Sequence, residues 1–167
     1  MSNEDRMTSA ISYLARGWSV IPVRENKRPY LKWKGYQETP ASREEVAAWY
    51  ARWPDAGVAA VTGKISGLVV LDVDDQHGGL ETLEELVREG KFPSESLETL
   101  RANTPSGGFH LYFAHPGGHV ATRAGVWPGV DVRADGGYAI APPTVMLKGN
   151  YAWEDLQAEI LPCPQEI

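Results

Sequence analysis

The stretch Leu68-Val69-Val70-Leu71-Asp72-Val73-Asp74-Asp75 leaves this chain few ways to fold. Branched apolar residues enter after Gly67, end in three carboxylates and are closed by His77-Gly78-Gly79. Such a run is a buried β-strand whose C-terminal end emerges at a polar site. Side chains alternate across a strand, so Val70, Asp72 and Asp74 take one face and Leu71 and Val73 the other. Two residues apart along a strand, the carboxylates of Asp72 and Asp74 lie roughly 6–7 Å from each other. At an effective dielectric near 20 their repulsion is about 2–3 kcal/mol. A cation between them removes it, and Mg2+ takes one or two protein carboxylates while keeping water and phosphate oxygens in its shell. Two acids also suit a plain strand end and turn, so they need partners before they define a site.

The surrounding chain bounds what those partners can be. At 167 residues it fills one domain with a real core. No apolar run reaches membrane-spanning length, and Met1-Ser2-Asn3-Glu4-Asp5-Arg6 lacks the basic and apolar regions of a signal peptide, which points to the cytoplasm. The single cysteine, Cys163, excludes an internal disulfide and a Cys-rich zinc site. A net charge of −6 is unlike that of domains that grip duplex DNA through its backbone. Any nucleic-acid contact has to use a local basic patch.

That patch is Asn26 to Tyr36, which carries Lys27, Arg28, Lys32 and Lys34, no acid, and the rings of Tyr30, Trp33 and Tyr36. Cations interleaved with aromatics suit a single-stranded nucleic acid or a triphosphate; the bland alternative is a solvated loop whose long side chains cover apolar surface. Before it, Met7, Ala10, Ile11 and Leu14 predict a helix stopped at Gly17, and Trp18 to Val23 a strand, making an αβ unit. After it, the capping box Ser42-Arg43-Glu44-Glu45 starts a helix that Pro54 ends. Gly57 to Gly63 is a second strand, and Lys64 to Gly67 is short enough to pair it antiparallel with the acidic strand. Leu80, Leu83, Leu86 and Val87 mark an amphipathic helix closed by Gly90.

Thr99 to Thr104 and Phe109 to Phe113 read as strands joined by Pro105-Ser106-Gly107-Gly108, a turn whose bare amides suit a phosphate. Phe109, Leu111 and Phe113 take one face, His110 and Tyr112 the other. Arg123 falls in a loop with little pattern. Gly129 to Arg133 and Tyr138 to Ala141 predict a hairpin around Asp135-Gly136-Gly137, with Asp131 and Arg133 opposite Val130 and Val132. Tyr151-Ala152-Trp153 suits an edge strand. The tail beyond it reads as partly disordered, or as a helix start.

Three separate strands thus carry apolar residues on one side and a reactive set on the other: Asp72 with Asp74, His110, and Asp131 with Arg133. Each has a bland role alone: strand-end acids, a structural histidine, a turn acid, a surface ion pair. His77, His115 and His119 stay in that class. On one sheet face, three carboxylates suit two divalent metals, and an imidazole and a guanidinium beside a Gly-Gly turn suit triphosphate oxygens.

At these residues the chain resembles the prim-pol family, the bifunctional DNA primase/polymerase N-terminal domain of the archaeo-eukaryotic primase superfamily. The matching stretches are Gly63 with Ser66 to Asp74, Thr104-Pro105-Ser106-Gly107-Gly108-Phe109-His110-Leu111-Tyr112-Phe113, and Gly129-Val130-Asp131-Val132-Arg133 with Gly136-Gly137-Tyr138 and Pro142-Pro143. Ala15 to Pro22, Lys27-Arg28-Pro29 and Trp33 fit the family's opening. Two positions depart from it: Phe109, where a basic residue is common, and Thr144, where serine is.

The resemblance implies an α+β fold, an RRM-like antiparallel sheet beside the N-terminal αβ unit, with a catalytic domain over 1–155 and a tail over 156–167 that could lead into a further domain. It implies metal-dependent, template-directed nucleotidyl transfer in the replication of a plasmid, phage or mobile element. Asp72, Asp74 and Asp131 would hold two Mg2+ or Mn2+ ions, with His110 at the triphosphate. Ser106, Gly107, Gly108 and Arg133 are further nucleotide contacts, and Lys27, Arg28, Lys32 and Lys34 template or primer contacts. Partners are (d)NTPs and single-stranded or primed DNA, with a helicase domain or partner as a further candidate. Competing with this are a D-x-D glycosyltransferase, a metal-dependent nuclease and a non-catalytic nucleotide or nucleic-acid binding module.

Overall fold

The computed structural model describes residues 3–167, so the leader expectation at Met1 and Ser2 lies outside the described residues. Asn3–Ala15 forms α1, which buries Ala10 and Tyr13. Gly17, at φ 87°, turns the chain out of the helix in a conformation that a Cβ would strain. Next come β1 (Val20–Val23), the basic loop, and α2 (Arg43–Arg52). The capping box is formed as expected: the Ser42 hydroxyl accepts from the Glu45 amide, and the Glu45 carboxylate from the Ser42 amide. Then follow β2 (Gly57–Val61), β3 (Leu68–Val73), α3 (Gly79–Arg88), β4 (Arg101–Asn103), β5 (Phe109–Ala114), β6 (Arg123–Trp127), β7 (Val130–Arg133) and β8 (Tyr138–Ala141). Short strands β9 (Val145–Met146), β10 (Gly149–Asn150), β11 (Ala152–Trp153) and β12 (Leu161–Pro162) complete the chain.

The fold is α+β, with its strands in antiparallel sheets apart from one short parallel pairing. The small sheet runs β1-β2-β8 and the large one β11-β4-β5-β3-β7-β6, with β12 parallel to β5. Period-2 alternation sorts the core into layers. Val20, Val58, Ala60, Ala139 and Ala141 of the small sheet meet Leu68, Val70, Ala102 and Tyr112 of the large sheet, together with α1 and α2. On the far face of the large sheet Val69, Leu71, Val73, Leu111, Phe113, Val130 and Val132 pack on Leu83 and Leu86 of α3. Burying each such branched side chain stabilises the fold by roughly 1.5–3 kcal/mol.

The structure corrects four expectations. β2 and β3 are not a hairpin; beyond one bridge, Gly63 to Leu68, they part into different sheets. β7 and β8 part in the same way around Gly136-Gly137. Both crossings lie side by side and are tied by Asp135, whose carboxylate accepts from the amides of Lys64 (2.9 Å) and Val120 (2.9 Å). Arg123, assigned to a patternless loop, begins β6, whose register against β7 is irregular. The tail after Trp153 is neither a helix start nor loose: β12 extends the sheet, the Leu100 amide donates to Glu159, and the Cys163 amide to Ala114. No helix among the described residues is long and apolar enough to cross a membrane.

Candidate active site

The sheet register brings three of the predicted residues, Asp72, His110 and Asp131, together, and leaves Asp74 just past the end of its strand. On the central strand β3, Asp72 stands directly opposite His110 of β5 on one side and Asp131 of β7 on the other. Directly opposed residues keep their Cβ atoms about 4.5–5.5 Å apart, so one imidazole and two carboxylates form a single rung across three strands. Arg133, two residues beyond Asp131, points to the same face. Its Nη2 lies 3.0 Å from Asp131 Oδ2 and 3.8 Å from Asp72 Oδ2. The three strands converge because Val130 and Val132, Leu71 and Val73, and Phe109 and Leu111 bury the opposite face.

The charges balance locally. Burial alone would raise the Asp72 carboxyl; the hydrogen bond and charge of His110, then Arg133 and Lys27, outweigh it and hold the group below the usual carboxylate value. His110 Nε2 lies 3.4 Å from Asp72 Oδ1, while its buried Nδ1 has no partner among the described residues. Asp131 Oδ1 accepts from the Gly125 amide at 2.7 Å. Tyr151, whose ring lies 5.7 Å from that of His110, has its hydroxyl pushed up to about 12, mainly by burial and then by Asp72.

Asp74 lies one step beyond the strand and is held by its main chain: its amide donates to Gly129 O (2.8 Å) and its carbonyl accepts from Gly79 (2.8 Å). Its carboxylate accepts from the Gln76 amide at 3.0 Å and meets His77 Nδ1 at 2.7 Å. His77, expected to be structural, thus serves to fix an acid. Backbones crowd this strand end so closely that glycines are required. A Cβ on Gly108 would meet Val73 O at 2.1 Å, and one on Gly79 would meet Gly129 O at 2.4 Å. The Gly107 amide donates to Thr104 O at 3.2 Å, so it closes the turn instead of standing bare.

One cavity adjoins the rung, and a second lies next to it across Lys27 and Tyr151. The first, of about 260 Å³, is lined by Asp72, His110, Arg133 and the Gly136-Gly137 turn. The second, of about 480 Å³, is lined by Asp74, Ser106 and the β9–β10 hairpin. Lys27 and Tyr151 line both; Asp131 lines neither. All four loop cations are exposed, and of them Lys27 alone lines these cavities. Lys27 does so at φ 68°, a left-handed conformation costing roughly 1–2 kcal/mol for a residue with a Cβ. The loop's rings are not free platforms: Tyr30 stacks on Trp53, Trp33 meets Tyr138 edge-on, and Tyr36 meets Trp49.

Sequence reasoning passed over Tyr151, the position of Lys27, and Thr122, which lines the cavity of Asp72 and accepts from the Ala134 amide at 2.8 Å. Their contacts join segments far apart in the chain, so no local pattern marks them. It also noted Thr144 only as a departure. Its buried hydroxyl accepts from the Val58 amide (2.9 Å) and donates to Val58 O (3.1 Å), a task that serine's hydroxyl also suits.

The Prim-Pol family profile, described as bifunctional DNA primase/polymerase, N-terminal, matches residues 10–166. The chain belongs to the Prim-Pol family. No curated protein gives a significant match. Prim-Pol domains are those of DNA primase/polymerases, enzymes of the nucleotidyltransferase type that typically use divalent metals. In this Prim-Pol chain, hard oxygen donors from Asp72 and Asp131 suit such ions, and Arg133 holds the cation position between them. Among the described residues, no three His, Cys, Asp or Glu side chains are gathered in a metal-holding group. The acids are instead shared out among Arg133, His77 and backbone amides.

Proposed function

We propose that this Prim-Pol domain transfers nucleotides from (d)NTPs to a primer 3′-hydroxyl or an initiating nucleotide on single-stranded DNA, in the replication of a plasmid, phage or mobile element. The observation that carries the proposal is the His110–Asp72–Asp131 rung, with Arg133 beside it and a cavity at its edge. Family membership supports reading the large sheet as an archaeo-eukaryotic primase core.

Asp72, Asp74 and Asp131 would hold two divalent ions, Mg2+ or Mn2+, in place of their present partners Arg133 and His77; when bound, the ions supply hydroxyl activation and neutralise charge on the leaving pyrophosphate. The chain's own residues do the rest. Arg133 offers a planar fork of donors to non-bridging phosphate oxygens. His110 lines the same cavity as Asp72 and Arg133, with Nε2 on the Asp72 side, the edge of the ring that would meet a phosphate oxygen. Ser106 and the Gly107-Gly108 turn support the phosphates from the Asp74 side. Arg28, Lys32 and Lys34 form an exposed basic strip for template or primer, whose contribution weakens with salt. A D-x-D sugar transferase has no use for Asp131 and His110 in register with Asp72.

Primer extension with labelled nucleotides on a single-stranded template, with and without primer, tests the proposal in Mg2+, in Mn2+ and after chelation. Asp72→Ala and Asp131→Ala should each lower incorporation by roughly 10²–10³-fold or more while the fold persists. Undiminished incorporation by either variant removes this mechanism. Loss of labelled DNA ends without added nucleotides would reveal a nuclease instead.

A further inference from the structure

Lys27 occupies a tight turn between β1 and the rest of the basic loop. The Arg24 amide donates to Arg28 O at 2.8 Å and the Lys27 amide to Arg24 O at 2.9 Å, which places Lys27 at φ 68°. Glycine fits such a position without strain. Here the position carries a long cation, and the Tyr138 hydroxyl donates to the Lys27 carbonyl at 2.9 Å, pinning the turn to β8 across 111 residues of chain. A strained backbone persists only where its surroundings over-determine it, and such residues collect at binding sites.

The side chain's surroundings point the same way. Lys27 lines the wall shared by the cavity of Asp72, His110 and Arg133 and the cavity of Asp74 and Ser106. Its charge reaches Asp72, yet it forms no ion pair among the described residues. It is a cation on the wall shared with Asp72 and Asp74, in an ion pair with neither. Arg28, Lys32 and Lys34, its neighbours in sequence, line neither cavity.

Resting on the nucleotide reading of these cavities, we propose that Lys27 binds the phosphates of the incoming nucleoside triphosphate and is no part of the template contact. The basic loop, whose four cations are all exposed, is then divided in function: one strained lysine on the cavity wall, and three cations away from it left for the nucleic-acid strand. Lys27 joins Arg133 and His110 as a third donor, arriving from the opposite sheet, so the triphosphate is held from both sides of the cleft.

Lys27→Gly tests this, because glycine relieves the φ strain while removing the charge. Binding of dATP and ATP in Mg2+, measured by calorimetry without template, should weaken roughly 10- to 100-fold, the size of one charge-assisted hydrogen bond. Single-stranded DNA binding, followed by fluorescence anisotropy, should stay unchanged. Lys27→Arg should restore much of the nucleotide affinity, and the double variant Lys32→Ala, Lys34→Ala should show the reverse pattern. The inference is overturned if Lys27→Gly binds triphosphate like wild type, if its loss appears in DNA binding instead, or if the wild-type protein binds no triphosphate. A wild-type protein that binds triphosphate through Lys27 but incorporates none sinks the polymerase proposal and leaves this one standing.

Discussion

Gly108→Ala puts the smallest possible addition at the most crowded point of the site. The new Cβ would lie 2.1 Å from Val73 O and 3.1 Å from the Asp75 amide nitrogen, all main-chain atoms that no rotamer change can clear. Real Cβ contacts essentially never fall below 3.0 Å, so β3 and the turn into β5 must separate by at least about 0.9 Å. Val73 lies between Asp72 and Asp74, and Gly108 two residues before His110. The His110–Asp72 contact, already 3.4 Å, would therefore be lost. Overpacking of this kind costs about 1–3 kcal/mol, which in a domain of this size lowers Tm by roughly 2–12 °C. A displacement near 1 Å at reacting groups costs on the order of 10²-fold in rate. Scanning calorimetry and primer extension read the two effects. Gly67→Ala is the control: no atom lies within 4 Å of its Cβ and its φ is +66°, so it should lose roughly 1–2 kcal/mol of stability yet keep its incorporation rate. If Gly108→Ala keeps wild-type incorporation, the proposed coupling of that turn to the His110–Asp72 contact is wrong.

Two further outcomes follow from particular contacts. The Asp72 carboxyl is held below its unfolded value near 3.9, so its stabilising effect is present above about pH 4 and lost as pH falls through the folded value. In chelator, Asp72→Asn should flatten the acid-side fall of Tm below about pH 4; an unchanged slope would show that the carboxylate gains nothing from its neighbours. Thr144→Val leaves the Val58 amide and carbonyl without the hydroxyl, a loss of about 1–3 kcal/mol. Thr144→Ser should cost far less, and equal Tm values for the two variants would show that the hydroxyl carries no weight.

The large sheet was legible because its alternation is clean. Val69, Leu71 and Val73 against Val70 and Asp72, and Phe109, Leu111 and Phe113 against His110 and Tyr112, place their own faces without outside help. From that alternation alone Asp72, His110 and Asp131 share a surface, and the register then sets them on one rung. The pairings around Lys64–Gly67 and Asp135–Gly137 were misread because a short turn and a crossing between sheets look alike in one dimension. What separates them is a contact between the two turns: Gly63 packs so closely on Asp135 that a Cβ would meet its Oδ1 at 2.5 Å. Lys27 was legible as a cation but not as the one that reaches the acids, since Tyr138, which pins it, lies far along the chain.

The final strand sets a practical limit on where this polypeptide can be cut. Leu161, Cys163 and Ile167 cover one flank of the apolar layer beneath the large sheet, and Thr99 Oγ1, which accepts from the Leu161 amide, lies under them. An expression fragment ending at Asp155 would strip that cover and leave the Phe113–Ala114 end of β5 without its partner strand, an apolar edge open to another molecule. A well-behaved sample for crystals or spectroscopy has to run through the Pro-Cys-Pro segment, with any fusion partner attached beyond it.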